Sequence, residues 1–71
     1  HATSDMYWAG ERLGPERLKT AYAFNSLRQQ YGQVALGSDF PVEDINPLFG
    51  FHAAVARQDA KNYPAGGFQM E

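Results

Sequence analysis

Cysteine is absent from the 71 residues, so neither a disulfide nor a thiolate metal site can staple this chain. The histidines are two, His1 and His52, 51 positions apart, which removes any zinc-knuckle spacing as well. Positive charge is also thin. Six Lys and Arg against eight Asp and Glu leave a formal charge of −2, with the cations spread along the chain, the opposite of the basic patch that binds nucleic acid. Apolar runs last a few residues, far short of the roughly 20 that span a bilayer, and no charged start followed by an apolar run marks a signal peptide. The composition therefore argues against nucleic-acid and membrane partners. It leaves the compartment open, with the cytoplasm favoured.

Shortness sets the next bound. Ordering 71 residues costs on the order of 100 kcal/mol at roughly 1.5 kcal/mol per residue, and a chain of this length builds one small core at most. It opens on His1 rather than Met and runs out at "AGGFQME", just past a turn-like Pro-Ala-Gly-Gly. That pattern reads as a piece of a longer polypeptide.

Residues 1–14 read as a loop with room for one helical turn, in which Thr3, Ser4 and Asp5 precede Met6, Tyr7, Trp8 and Ala9 and Asp5 serves as a cap. Pro15 suits a first helical position, Glu16 complements the positive helix start, and Gly32 can close the end in the left-handed conformation. Between them Leu18, Ala21, Tyr22, Leu27 and Tyr31 recur at three- and four-residue steps, which predicts a helix over 15–31. Val34, Ala35 and Leu36 are continuous and uncharged, as in a short strand over 34–38 buried on both faces. Asn46 and Pro47 form a cap and first-turn pair ahead of Leu48, Phe51 and Val55, predicting a second helix over 46–58, and 61–71 is a Pro- and Gly-bearing loop. A doubly buried strand must pair on both edges, and this chain supplies no neighbours. The element order thus points to a slice of a parallel α/β structure.

Asp39 follows that strand. In parallel α/β folds the loops at the carboxyl ends of strands converge on the functional face, and Gly37 would admit a close approach while Pro41 stiffens the chain after the acid. An ordinary turn acid explains Asp39 as well, since Asp and Ser beside Pro are common turn chemistry. Spacing alone leaves both open.

The stretch "GSDFPVEDINPLFGFHAAVARQDA" resembles the end of the catalytic domain of the metal-dependent amidohydrolases, in particular the amidohydrolase 3 branch of YtcJ-like hydrolases. The upstream "HATSDMYWAGERLGPERLKTAYAFNSL" is similar to the same proteins, whose His-x-x-Ser-Asp loop and Leu-Gly-Pro-Glu-Arg helix start precede a Gly-Ser-Asp-x-Pro-Val strand end. The likeness covers nearly the whole chain and weakens after Lys61. It implies an α/β fold, a segment of a (β/α)8 TIM-like barrel holding the seventh crossover helix, the eighth strand and the following loop and helix, so that 1–71 is a partial catalytic domain.

The resemblance also implies chemistry. Asp39 matches the family aspartate that touches the metal and takes the proton from metal-bound water, which makes it the expected catalytic and metal residue. Divalent ions lower the pKa of bound water to about 7, and a fixed carboxylate beside one can pass the proton to a leaving nitrogen. His1 matches a loop histidine that could face substrate. The family's His-x-His pair, its bridging lysine or glutamate and its two further histidines have no counterpart here, and a catalytic zinc normally needs about three protein ligands. One or two divalent ions, zinc foremost, would accordingly be held mainly by residues outside this chain, which alone should be inactive. The expected partner is a small amide-like, non-peptide substrate cleaved at a carbon–nitrogen bond, and the enzyme is free to form a homo-oligomer.

Other candidates carry plainer readings. His52, flanked by Phe51 and Ala53, suits packing or exposure; Glu43 and Asp44 suit a solvated loop before a helix; Tyr7, Trp8 and Phe40 suit core or lid packing. The rival function is a free-standing helical module that binds a partner protein through apolar faces without catalysis.

Overall fold

A computed structural model of the chain describes residues 1–70. Three helices follow in order: α1 Ala2–Leu18, α2 Phe24–Tyr31 and α3 Pro47–Ala56. Among the described residues there is no strand. The α/β barrel slice expected from the sequence is therefore not what the chain forms; the fold is helical.

The physical reason lies in Val34–Ser38. These residues form neither strand nor bridge, and Leu36 keeps 55% of its surface exposed. A strand's N–H and C=O groups need a neighbouring strand, and with none among the described residues no ladder forms. Apolar continuity signalled burial; pairing partners decided the outcome.

The expected loop over 1–14 is helix. His1 stands at the N-cap position, with no capping hydrogen bond from its side chain, and Asp5 lies inside the first turn, where its N–H donates to the His1 carbonyl at 2.7 Å. Asp5 thus complements the positive helix end from within rather than capping it. Gly14, at φ 77 and ψ 164, kinks α1, and Pro15 opens the second limb, the position its fixed φ favours.

The single helix expected over 15–31 is broken between Leu18 and Phe24. Tyr22 takes a left-handed backbone with φ 57, its carbonyl accepts from Arg57 Nη2 at 2.5 Å, and its ring meets Phe68 at 5.8 Å in a tilted contact. Tertiary contacts at Tyr22 thus overrode a helical spacing that was correct on both sides of the break. After α2, Gly32 at φ 85 donates its N–H to the Arg28 carbonyl at 2.7 Å. Such a left-handed closing residue is most easily a glycine.

α3 begins where cap chemistry puts it: the Asn46 side chain accepts from the Leu48 N–H at 3.0 Å and Pro47 is the first helical residue. Arg57, left-handed at φ 56, ends it. From there the chain folds back over α1. Phe68 N–H donates to the Arg57 carbonyl at 2.7 Å, Gln69 reaches the Leu18 carbonyl, Tyr7 donates to Asp59, and Tyr7 and Tyr63 stack with centroids 6.0 Å apart. α1 also meets α3 directly.

Little is buried. Among the described residues Ala2, Ala9 and the charged Arg57 are the buried ones, while Leu48, Phe49, Phe51 and Val55 of α3 are all exposed. The Arg57 guanidinium lies 4.8 Å above the Phe24 ring, a placement that attracts a cation to the π face.

Candidate functional site

The N-terminal turn of α1 faces the loop that follows Val34–Ser38, and acidic side chains from both meet at His1. Asp39 has φ 56, a left-handed conformation that Asp tolerates better than most residues. Its carbonyl accepts the Val42 N–H at 2.9 Å and the Glu43 N–H at 3.4 Å, so the chain turns tightly after it. Ser38 Oγ accepts from Phe40 N–H at 3.2 Å, and Asp44 Oδ1 accepts from Asn46 N–H at 2.8 Å. This local turn chemistry sends Asp39 and Glu43 toward one side and spends Asp44 on the approach to α3.

His1 Nε2 lies 2.8 Å from Asp39 Oδ2, a hydrogen bond between residues 38 apart. The other ring nitrogen, Nδ1, is 3.3 Å from Glu43 Oε1 and 3.9 Å from Asp5 Oδ2. Around this core stand further donors. The single Ser4 hydroxyl proton has two acceptors in reach, Glu43 Oε1 and the His1 carbonyl at 3.2 Å, and the Tyr22 hydroxyl donates to Asp5 Oδ2 at 2.9 Å. Burial, the bond to Asp5 and the charge of Asp5 together push the Tyr22 phenol up to about 12, so it remains a donor at neutral pH.

A cleft of about 520 Å³ adjoins these groups. His1, Ser4 and Glu43 form its polar wall, and Leu36, Leu48 and Phe51 lie among its apolar residues. Asp39 does not line the cleft; it reaches it through His1. One imidazole and three carboxylates make a mixed nitrogen and oxygen donor set, the kind that suits a borderline divalent ion and is poor for a soft one. His1, Asp5 and Glu43 each offer a ligand atom, all within 4.8 Å of one another.

The structure thus brings together Asp39 and His1, the expected site residues, and adds Asp5, Ser4 and Glu43, whose sequence context suggests only caps or a solvated loop acid. A signal for Asp5 was present in the spacing. His1 and Asp5 are four residues apart, so reading 1–14 as helix would have put both on one face. No local signal ties Glu43 to His1. The remaining candidates lie elsewhere: His52 is exposed on α3, the Trp8 ring is 5.1 Å from Arg12 Cζ, and Phe40 is exposed. Tyr7 belongs to a second polar cluster, where its bond to Asp59 leads the causes that raise its phenol and lower the Asp59 carboxyl; the Tyr63 N–H supports that carboxylate as well.

Comparison with known proteins gives consistent results. A profile described as "Amidohydrolase family" matches residues 1–71. YtcJ of Bacillus subtilis (strain 168), whose name classes it with the amidohydrolases, is 42% identical over 57 residues, covering 80% of this chain and 11% of that protein. Protein LONG AFTER FAR-RED 3 of Arabidopsis thaliana is 45% identical over 58 residues, covering 80% of this chain and 10% of that protein. The chain thus spans about a tenth of the length of these curated relatives. No solved structure matches it.

Proposed function

The chain belongs to the amidohydrolase family, a family of hydrolases, and from that premise we propose that it carries the acid–base residue of a metal-assisted hydrolase cleaving a carbon–nitrogen bond in a small, non-peptide, amide-like substrate. The observation that carries the proposal is the 2.8 Å bond between Asp39 Oδ2 and His1 Nε2 beside the cleft. A carboxylate anchored at one oxygen by an imidazole is held in one orientation, and proton transfer requires that fixed reach.

Asp39 accepts a proton from the attacking water and returns it to the leaving nitrogen, so the residue ends the cycle in the state in which it began. His1 orients the Asp39 carboxylate and presents its polar edge to the cleft, where it can meet substrate. The apolar wall from Leu36, Leu48 and Phe51 would hold the substrate's hydrocarbon part and thin the water around the reacting carbonyl. A divalent ion, zinc by preference, would supply a more acidic water and polarise the carbonyl when bound, and the mixed donor set at this site fits such an ion.

In an active hydrolase carrying this sequence, Asp39→Asn keeps the shape and removes the base. Turnover is expected to fall by about 10²- to 10⁴-fold with the fold retained by circular dichroism. Activity within a few-fold of the parent would overturn the assignment.

One observation favours a second reading, a helical module that binds a partner protein without catalysis: α3 buries none of its residues, and Leu48 is 70% exposed. Hydrolysis that depends on Asp39 separates the two.

A further inference from the structure

We infer that the cavity between α2 and α3 is a binding site for a small monocarboxylate with an apolar body, its carboxylate held by Arg57 and Arg28. The inference stands apart from the hydrolase proposal, because neither Asp39 nor His1 lines this cavity.

The sign of the charge is the first support. The cavity holds about 650 Å³, and two guanidinium groups line it while, among the described residues, no Asp or Glu does. The chain has eight such acids, and Glu43 and Asp44 stand in the wall of the other cleft. The two cavities are therefore of opposite sign. Arg57 is also placed before any ligand arrives: it is 4% exposed, its Nη2 donates to the Tyr22 carbonyl at 2.5 Å, and its guanidinium lies 4.8 Å above the Phe24 ring. A cation already out of water and fixed in orientation meets a carboxylate without repeating that desolvation and ordering.

Arg28 supplies a second donor that solvent can reach. Phe24 and Arg28 are four residues apart on α2 and share one of its faces, so both guanidinium groups flank the same ring. Arg28 Nε and Nη2 both donate to Asn25 Oδ1, at 3.2 and 2.9 Å, and among the described residues Nη1 has no acceptor. Guanidinium groups match a planar carboxylate through parallel N–H bonds. The rest of the wall sets the body of the ligand. Leu36, Val55 and Met70 line the cavity and are exposed, and a seated hydrocarbon would cover them. A bare inorganic anion would leave that apolar wall wet, and a neutral hydrocarbon would leave the cations without an anion. One ligand that carries both parts satisfies the whole cavity, whose volume lies in the range of about 300–1,000 Å³ common for small-molecule sites.

Phenylbutyrate is the probe, titrated into the chain by calorimetry and by backbone amide shifts. One molecule per chain is expected, with the shifts centred on Phe24, Arg28 and Val55. Phenylbutyramide, which keeps the body and loses the charge, and acetate, which keeps the charge and loses the body, should each bind at least about tenfold more weakly. Arg28→Gln should weaken phenylbutyrate at least about fivefold, whereas Arg12→Gln, which alters a cation outside the cavity, should leave it unchanged. No saturation up to about 10 mM, an amide that binds as tightly as the acid, equal effects of the two arginine variants, or shifts centred elsewhere in the chain would overturn the site. If Arg28→Gln loses the parent's helical ellipticity, Val55→Glu replaces it, a change at an exposed position that sets a like charge in the wall. It is expected to weaken binding at least about tenfold, and unchanged affinity again overturns the site. The readout is occupancy of this cavity and not turnover, so its failure and that of a catalytic Asp39 give different results.

Discussion

Replacing Tyr22 by Phe removes one hydroxyl from the place where the break between α1 and α2 is tied to the start of α1. That hydroxyl donates to Asp5 Oδ2 at 2.9 Å in a part-buried setting. The ring stays, and with it the tilted contact to Phe68 at 5.8 Å, so the loss is confined to the hydrogen bond. Bonds to charged groups contribute about 1.5–3 kcal/mol, and because Asp5 keeps 20% of its side-chain surface, water replaces part of the missing donor. The expected cost is about 1–2 kcal/mol in urea unfolding followed by far-ultraviolet ellipticity. A double-mutant cycle with Asp5→Ala should show the second change costing much less than the first. The pH dependence gives an independent check. Tyr22 is pushed up to about 12 in the folded chain, chiefly by burial, so its contribution is complete below the unfolded phenol value of about 10 and drains away as pH rises from about 10 through about 12. In Tyr22→Phe the phenolate absorbance step near pH 12 disappears and the loss of stability over that window becomes shallower, leaving only what Tyr7 adds. Stability within about 0.5 kcal/mol of the parent, the range of ordinary surface changes, together with an unchanged high-pH step would refute the assignment.

Two glycines should respond in opposite directions. At Gly67, φ is +86 and an added Cβ would meet Met70 Sδ at 2.7 Å and the Ala56 carbonyl oxygen at 3.1 Å, so Gly67→Ala should cost about 1–2 kcal/mol and lower Tm by about 5–15 °C. Gly50 lies inside α3 with nothing within 4 Å of that position, and Gly50→Ala should stabilise by about 0.5–1 kcal/mol in the same thermal melt. The Asp59 carboxyl is held below its usual range, first by Tyr7 and then by the Tyr63 N–H; its stabilisation is therefore present above the unfolded value of about 4 and lost as pH falls through the lower folded value. Acid titration of ellipticity should show that loss in the parent and a smaller one in Tyr7→Phe.

Much of the local structure could be read one residue at a time. Pro15 as a helix-opening residue, Gly32 as a left-handed stop, and the Asn46 and Pro47 pair at the start of α3 are backbone chemistry, set by a missing N–H, a missing Cβ and a side-chain oxygen at hydrogen-bond reach. The family was legible for a related reason: an ordered set of short motifs survives in the sequence whatever the surrounding chain does. Where the reading failed, it extended a local rule past its reach. A periodic pattern through Leu18, Ala21 and Tyr22 said helix, while Asp5, Phe68 and the Arg57 guanidinium, each distant in sequence, bent the chain at Tyr22.

The candidate site divides the same way. Asp39 stood out in the sequence because Gly, Ser and Pro surround it and mark a turn that displays an acid. Its partner did not, since nothing local to either residue tells that His1 will lie 2.8 Å away across 38 residues. The sequence by itself determined which side chains have the chemistry, where α2 stops and α3 starts, and the family. Only the tertiary structure decided that Val34–Ser38 goes unpaired and that His1, Asp5, Asp39 and Glu43 converge. Hydrogen-bond pairing and electrostatic grouping are properties of distance in space, and along this chain those distances are set by turns whose contacts come from elsewhere.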